Sequence, residues 1–394
     1  MKILYIADGR SPTAMNWIRY FAERDYQVHL ITNYYCAPEI KLASLHHVPF
    51  AFSGVGSGTN TRTVNHERFR SLLPVGLRTR LKHWTIPLAL NKTAKRIAEI
   101  NTSVQPDLVH AMRIPFEGML AVNAGLQVPL LISVWGNDFT LHAPANAWMK
   151  RLTKRTLQQT DALHTDCYRD IGLAEIWGFP VDKPRIVLPG AGGIRMDIFY
   201  PPVRSEEEDS TDTVINPRGI RAYVNNQAFF HAAALVLKKR PAARFLCPAM
   251  DNEAQAQRWV ERYNVSANVV LLPRQSKERM ASLFRQAKVA VSPSTHDGTP
   301  NSLLEAMASG CLPIAGDIES LREWITPGVN GLLVNPNDPQ EIADAILLGL
   351  EQDSLRRRAM VHNQQLIAER ADYRTVMPEA ADFYRLVVDI GMKS

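Results

Sequence analysis

Twelve short apolar runs, each followed by a stretch of helical periodicity, constrain this chain more than any single residue does. In the first half they read "KILYIA", "QVHLIT", "LVHAM", "PLLISVW", "ALHT" and "RIVLPG". In the second they read "TVINP", "ARFLCPA", "NVVLLP", "VAVSPS", "LPIAG" and "GLLVNP". Near-continuous apolar strands are buried on both faces, so they belong inside parallel sheets covered by helices. Two series of them imply two Rossmann-like, doubly wound α/β units. Between the series lies "DIFYPPVRSEEEDSTDT", residues 197–213. A double proline followed by an acidic, hydroxyl-rich run packs no core and reads as a linker. The expected division is a first domain at 1–196, the linker at 197–213 and a second domain at 214–372. A closing helix at 373–394 returns toward the first domain. Two domains also suit a chain of 394 residues, since one domain holds ~100–200.

Composition narrows the class. Hydrophobic residues make up 46% and charged residues 21%, which are globular values. No apolar run reaches the ~20 residues of a membrane span. The opening "MKILYIADGR" is too short in its apolar part for a signal peptide, carries Asp8 where cleavage would fall, and reads as a first strand. Cys36, Cys167, Cys247 and Cys311 form no CxxC pair. That argues against a disulfide framework or structural zinc and points to a reducing, cytoplasmic setting.

The net charge of +6 is concentrated. Residues 62–96 hold nine basic residues and one acid, Glu67, interleaved with Leu72, Leu73, Leu77, Leu81 and Trp84. Such a stretch suits an anionic membrane, on whose inner face the protein would sit peripherally, or a polyanionic ligand. It equally suits a solvated helical face. Pro74, Gly76 and Pro87 favour the second view, because they are expected to break any long interfacial helix.

Ligands of open parallel sheets bind outside the carboxyl ends of the strands, so the loops there are the expected seat of the chemistry. After "VAVSPS" comes "HDGTPNSLLEAMASG". Gly298 permits an unusual turn, Thr299 suits a helix N-cap and Pro300 the first helical position, with Gly310 closing the helix. First-turn N–H groups, aided by the helix dipole, make an anion site fit for a diphosphate. Glu305 lies deeper in that helix, where an unpartnered carboxylate is costly. A ribose diol or a basic side chain would each serve as its partner. Arg218 and Arg221 follow the strand "TVINP", and Asp138 follows "PLLISVW". His110 closes "LVHAM", and Gly9 lies in the first βα loop. His110 suits either a core or a cleft. Gly9 suits either a simple turn or close approach of a phosphate or acceptor. The GxGxxG fingerprint is missing, which disfavours a dinucleotide redox cofactor. The chain also has no GxxxxGK[ST] loop, no HExxH and no GxSxG elbow. Glu206, Glu207 and Glu208 read as solvated linker charge rather than a metal site.

The run "HDGTPNSLLEAMASGCLPIAGDIESLREWITPGVNGLLV" resembles the C-terminal signature of the retaining glycosyltransferases of family 4, which have the GT-B fold. The likeness covers about residues 200–350 well and the N-terminal half more loosely. It implies two Rossmann-like domains facing across a cleft. It further implies a nucleoside-diphosphate sugar donor, a hydroxyl acceptor (glycan, lipid-linked or small molecule), no metal or other cofactor, and no nucleic acid. By resemblance Glu305 holds the ribose, Asp297, where the family usually has Glu, contacts the donor sugar, and the backbone of Thr299, Pro300 and Asn301 meets the sugar or phosphate. Arg218 matches the family arginine that neutralises the diphosphate. The family lysine is absent near Tyr223 and Val224, leaving Arg221 as the nearby cation. Two arginines can grip a diphosphate. In "PLLISVWGNDF", Trp135 stands where the family has a histidine. Asp138 and His110 are the remaining expected catalytic residues of the first domain. Two rival functions use the same fold: a sugar-nucleotide 2-epimerase, and a non-catalytic sugar-nucleotide or glycan-binding protein.

Overall fold

The computed structural model describes residues 1–49, 75–202 and 211–392, with 75–89 described by backbone alone. Two compact units emerge. One comprises Met1–Gly193 with Thr375–Ser394, the other Ile194–Arg374.

The first unit is built on seven parallel strands. These are β1 (Lys2–Ile6), β2 (Gln27–Thr32), β3 (Ser44–His47), β4 (Leu108–Ala111), β5 (Leu130–Val134), β6 (Ala162–Thr165) and β7 (Arg185–Val187), ordered β3-β2-β1-β4-β5-β6-β7. The second unit has six parallel strands: β8 (Thr213–Ile215), β9 (Arg244–Pro248), β10 (Val269–Leu272), β11 (Val289–Ser292), β12 (Leu312–Gly316) and β13 (Leu332–Val334). Their order is β10-β9-β8-β11-β12-β13. Chain order reverses between β1 and β4 in the first sheet and between β8 and β11 in the second. These switch points are where crevices open outside the strand ends.

All twelve apolar runs form strands. The strand they do not announce is β3. Its Ser44-Leu45-His46-His47 alternates half-buried and exposed residues at the sheet edge, so hydrophobicity gives it no signal. The helix Val75–Val104 overturns a second expectation, because it runs through Gly76 and Pro87 without ending. Its later turns explain how: Leu90, Ala94, Ile97, Ile100 and Val104 are buried at near-helical spacing. That packing offsets the hydrogen bond a proline removes. The rest of the 62–96 segment and the acidic triplet at 206–208 lie outside the described residues.

The second unit begins earlier than the linker reading placed it. Ile194 N donates to Ala371 O (2.6 Å), and Tyr373 N donates to Ile194 O (3.0 Å). Phe199, read as linker, is buried 6.3 Å from the Phe284 ring. A large aromatic wins a core place despite the proline pair after it, since its burial contributes about 1.5–3 kcal/mol. The helix Asn226–Lys239 shows how the sheet is covered. Asn225 caps it by accepting from Ala228 N (3.1 Å), and Phe229, Phe230, Ala233 and Val236 are buried with Phe245 of β9.

A polar chain crosses the core of the first unit. His164 Nε2 lies 2.8 Å from Leu188 O, and a carbonyl only accepts, so Nε2 carries the proton. His164 Nδ1 therefore accepts from Ser133 Oγ (2.8 Å). Ser133 Oγ then accepts from His110 Nε2 (2.7 Å), and His110 Nδ1 accepts from Tyr384 Oη (2.5 Å). Tyr384 Oη in turn accepts from Trp17 Nε1 (2.7 Å) and from Tyr5 Oη (3.1 Å). One carbonyl thus fixes every proton in the neutral network. Tyr384 belongs to the last helix, Tyr373–Gly391, and its ring stacks on Phe21 at 4.5 Å.

Candidate functional site

In the second unit the switch point carries the signature residues. β8 leads into Asn216-Pro217-Arg218-Gly219, and Gly219 adopts φ +60°, a left-handed turn that glycine enters without strain. The loop is wired to the following helix. Asn216 Nδ2 donates to Asn226 Oδ1 (2.9 Å), Asn226 Nδ2 to Gly219 O (3.0 Å), and Arg218 N to Asn216 Oδ1 (3.2 Å). β11 leads into Ser294 and Asp297. Arg218 Nη2 meets Asp297 Oδ2 at 2.5 Å and Nη1 meets Ser302 Oγ at 3.0 Å. Ser294 Oγ donates to the same Asp297 oxygen (2.9 Å), and Ser320 Oγ to the Asp297 carbonyl (2.7 Å). The ion pair is largely buried, with side chains 8% and 13% exposed. Arg218 and Asp297, expected to face a donor separately, therefore hold each other. Arg218 Nε is buried with no hydrogen-bond partner among the described residues. Arg221 is exposed, its Nε donating to the Arg218 carbonyl at 3.1 Å.

The helix of the signature is Asn301–Ala308, with Pro300 at its cap and no side chain capping it. Two expectations shift here. Thr299 is not the cap, because its Oγ1 accepts from Trp324 Nε1 (2.9 Å) instead. The left-handed glycines of this unit are Gly219, Gly310 and Gly328, and Gly298 is not among them. An uncapped N-terminus still leaves first-turn N–H groups available to an anion. Asn301 Oδ1, at that first turn, is buried without a hydrogen bond among the described residues. Ser302 and Glu305 lie three residues apart and share a helix face. Glu305 is half-buried. Burial pushes its carboxyl up to about 7, opposed by the charges of Lys277 and Arg218. Lys277 opens the helix Lys277–Gln286, beyond β10, and sequence reading passed over it. Buried polar atoms left unmatched at a strand-end crevice are what a ligand site looks like before its ligand arrives.

The first unit treats its expected residues differently. His110 is fully buried and both ring nitrogens are engaged in the core network. Burial holds its pKa well below the usual value, with His164 adding to the effect. It is a core residue, not the catalytic one its strand-end position suggested. Asp138 is also corrected. Its carboxylate is 1% exposed and accepts from Arg113 Nε (2.8 Å), Trp135 N (3.2 Å) and Ile114 N (3.4 Å). It ties the ends of β4 and β5 together. Burial raises its pKa, against the pull of Arg113. Gly9 donates its N–H to Thr32 Oγ1 (3.0 Å), and a Cβ there would collide with Cys36 Sγ. Packing is one reason for a glycine there.

Residues missed from sequence stand beside them. Arg113 lies 5.5 Å from the Trp135 ring centroid, and its Nη2 meets Asn137 Oδ1 at 2.6 Å. Glu117 is buried, and burial raises its carboxyl to about 7. The Trp135 indole N–H is buried with no hydrogen-bond partner among the described residues. The fold marks β4 and β5 as switch-point neighbours, but only coordinates pair these side chains. Asp166, Cys167 and Asp170 bring possible ligand atoms within 4.8 Å of one another. Arg169 binds Asp170 at 2.7 Å there. No helix among the described residues is long and apolar enough to cross a membrane.

Comparison with known proteins fits this geometry. Residues 204–365 match the family Glycosyl transferases group 1, and residues 72–166 match Glycosyl transferase 4-like. A D-inositol 3-phosphate glycosyltransferase of Nocardia farcinica is 29% identical over 210 residues, spanning 48% of this chain and 46% of that one. One of Corynebacterium urealyticum is 30% identical over 125 residues, 32% and 29% of the two chains. The chain thus matches less than half the length of these curated relatives. Among solved structures, sucrose-phosphate synthase of Thermosynechococcus elongatus superposes with a TM-score of 0.76 at 16% identity, covering 99% of this chain and 100% of that one. Anabaena HepE, solved with UDP-glucose, gives 0.73 at 14%, covering 98% and 99%. With its two parallel-sheet domains of GT-B type and the signature around Asp297 and Glu305, the chain belongs to the glycosyltransferases of group 1, the family 4 type.

Proposed function

We propose that the chain transfers a sugar, with retention and without a metal, from a nucleoside-diphosphate sugar to a hydroxyl of a glycan, lipid-linked or small-molecule acceptor. The observation that carries this reading is the Arg218 guanidinium at the second switch point. Its buried Nε is unmatched among the described residues, and it lies beside an uncapped helix N-terminus and the raised Glu305 carboxyl. In the reaction, the bond from the anomeric carbon to the diphosphate breaks. The acceptor oxygen bonds to the same face of that carbon. The acceptor proton passes to a departing phosphate oxygen. Arg218 and Arg221 stabilise the charge that develops on the diphosphate. First-turn N–H groups at 301–302 hold the phosphates. Glu305, once ionised, accepts from the ribose hydroxyls. An Arg–diphosphate contact supplies in fixed charge what a metal would otherwise supply.

Related structures solved with UDP and UDP-glucose make uridine the first base to try. The work site proposed is cytoplasmic, at the inner face of a membrane, where lipid-linked acceptors are found.

The test is thermal shift and calorimetry against a panel of nucleoside diphosphates and their sugars, with chelator present. A melting rise with one base, and slow release of free diphosphate from its sugar, is the expected result. Binding only when metal is added would overturn metal independence. Interconversion of the sugar with no transfer would replace the reading with epimerisation.

A further inference from the structure

We infer that the exposed face of the Ala147–Gln159 helix is a docking surface for an anionic phospholipid bilayer. Its sequence, AWMKRLTKRTLQQ, holds four cations and no acid. Met149, Thr153, Thr156 and Leu157 face the core, so the fold is satisfied on that side. Lys150, Arg151, Lys154 and Arg155 are all exposed. Among the described residues no ion pair reaches any of them, although seventeen such pairs form elsewhere.

Spacing puts these charges together. Trp148, Arg151 and Arg155 recur at i, i+3 and i+7, and Lys150 and Lys154 at i and i+4 beside them, giving one continuous cationic face. Its borders are apolar. Trp148 is 54% exposed at the N-terminal end. Next to Lys154 and Gln158, whose stems face Gly178, the turn presents Ile176 and Val181 at 80% and 67% exposure. The acids of that turn are largely matched: Asp161 meets Lys183 (3.7 Å) and Glu175 meets Arg185 (2.6 Å), leaving Asp182 exposed.

A soluble partner of negative charge would engage the cations alone. Trp148, Ile176 and Val181 at the rim favour a surface with an apolar interior under its charges. A tryptophan settles at the headgroup level while Lys and Arg stems lie along the interface. Each cation near an anionic leaflet contributes roughly five-fold in affinity. This deepens the membrane contact of the proposed function and gives it a surface on described residues.

The experiment is co-sedimentation of the full chain with vesicles of phosphatidylcholine, with and without a quarter of phosphatidylglycerol, at low and high salt. Release of diphosphate from the donor is followed in parallel. The wild type is expected to sediment with anionic vesicles only, and less at high salt. The variant K150Q/R151Q/K154Q/R155Q is expected to lose about 100-fold or more in affinity, and Trp148→Ser about 10-fold. Both should keep melting temperature and donor turnover, so failure of the docking surface is read apart from failure of the transferase reading. Retained vesicle binding in the quadruple variant overturns the inference and shifts attention to 62–96. So does no wild-type binding. Binding of soluble heparin that matches vesicle binding and ignores Trp148→Ser assigns the face to a polyanion instead, which also overturns it.

Discussion

Replacing Glu305 by glutamine separates two roles that the proposed site gives one carboxyl. Without ligand, burial raises its pKa from 4.5 to about 7, so ionising it costs the empty protein free energy. For a group fully shut from water that shift corresponds to roughly 3 kcal/mol. Glu305 keeps some solvent access, and about 1–2 kcal/mol is the figure to expect once screening is counted. The sign follows from the direction. Below the ordinary carboxylate pKa both states hold the proton and nothing is lost. As pH rises through about 7 the folded state is left with an unfavourable charge. Glu305→Gln should therefore raise the melting temperature at pH 8 by about 2–6 °C and change nothing near pH 4. Ligand binding should move the other way. A ribose diol that donates to the ionised carboxylate loses about 1.5–3 kcal/mol with the neutral amide, or roughly 10–100-fold in affinity. Differential scanning fluorimetry across pH, with and without the nucleoside diphosphate that the panel selects, reads both. A variant less stable than wild type at pH 8, or one of unchanged nucleotide affinity, would refute the reasoning.

Three further expectations rest on other contacts. Arg218→Ala leaves Asp297 buried beside Ser294 without its ion partner. It should cost about 3–5 kcal/mol of stability, while Arg221→Ala, at an exposed site, should leave melting unchanged and slow diphosphate release. His164 is held neutral by burial with a pKa near 4, and His110 is likewise depressed. Stability should be full above pH 6.5 and fall as pH drops toward 4. Tyr384→Phe should cost about 1–3 kcal/mol at neutral pH by orphaning His110 and Trp17, both measured by urea denaturation. Gly9→Ala should destabilise by about 1–3 kcal/mol through collision with Cys36. Most of that loss should return in Gly9→Ala/Cys36→Ala if packing is the whole reason for the glycine.

The strands were legible because burial on both faces writes itself as continuous apolar letters. The loops after β8 and β11 were legible because their charged and turn-forming residues interrupt that pattern. What stayed hidden follows from physics that letters do not carry. His110 and Asp138 sit where strand ends meet crevices, yet their lengths let them turn inward, to Tyr384 and Arg113. The 84-residue separation of Arg218 from Ser302 is closed only by the fold. Edge strand β3, lacking a buried face on both sides, alternates like a loop. Pro87 sits inside a helix held by burial further along the same helix.

The first unit is assembled from both ends of the chain, with the second inserted between Gly193 and Thr375. On the ribosome, the hydroxyl that Trp17, Tyr5 and His110 share as a hydrogen-bond partner is therefore not made until Tyr384 is translated. The contiguous second unit is complete before that. The part synthesised first is then the part finished last. Until then it holds its sheet with an unfilled seat at Tyr384, and it is the half that most needs protection while the nascent chain grows.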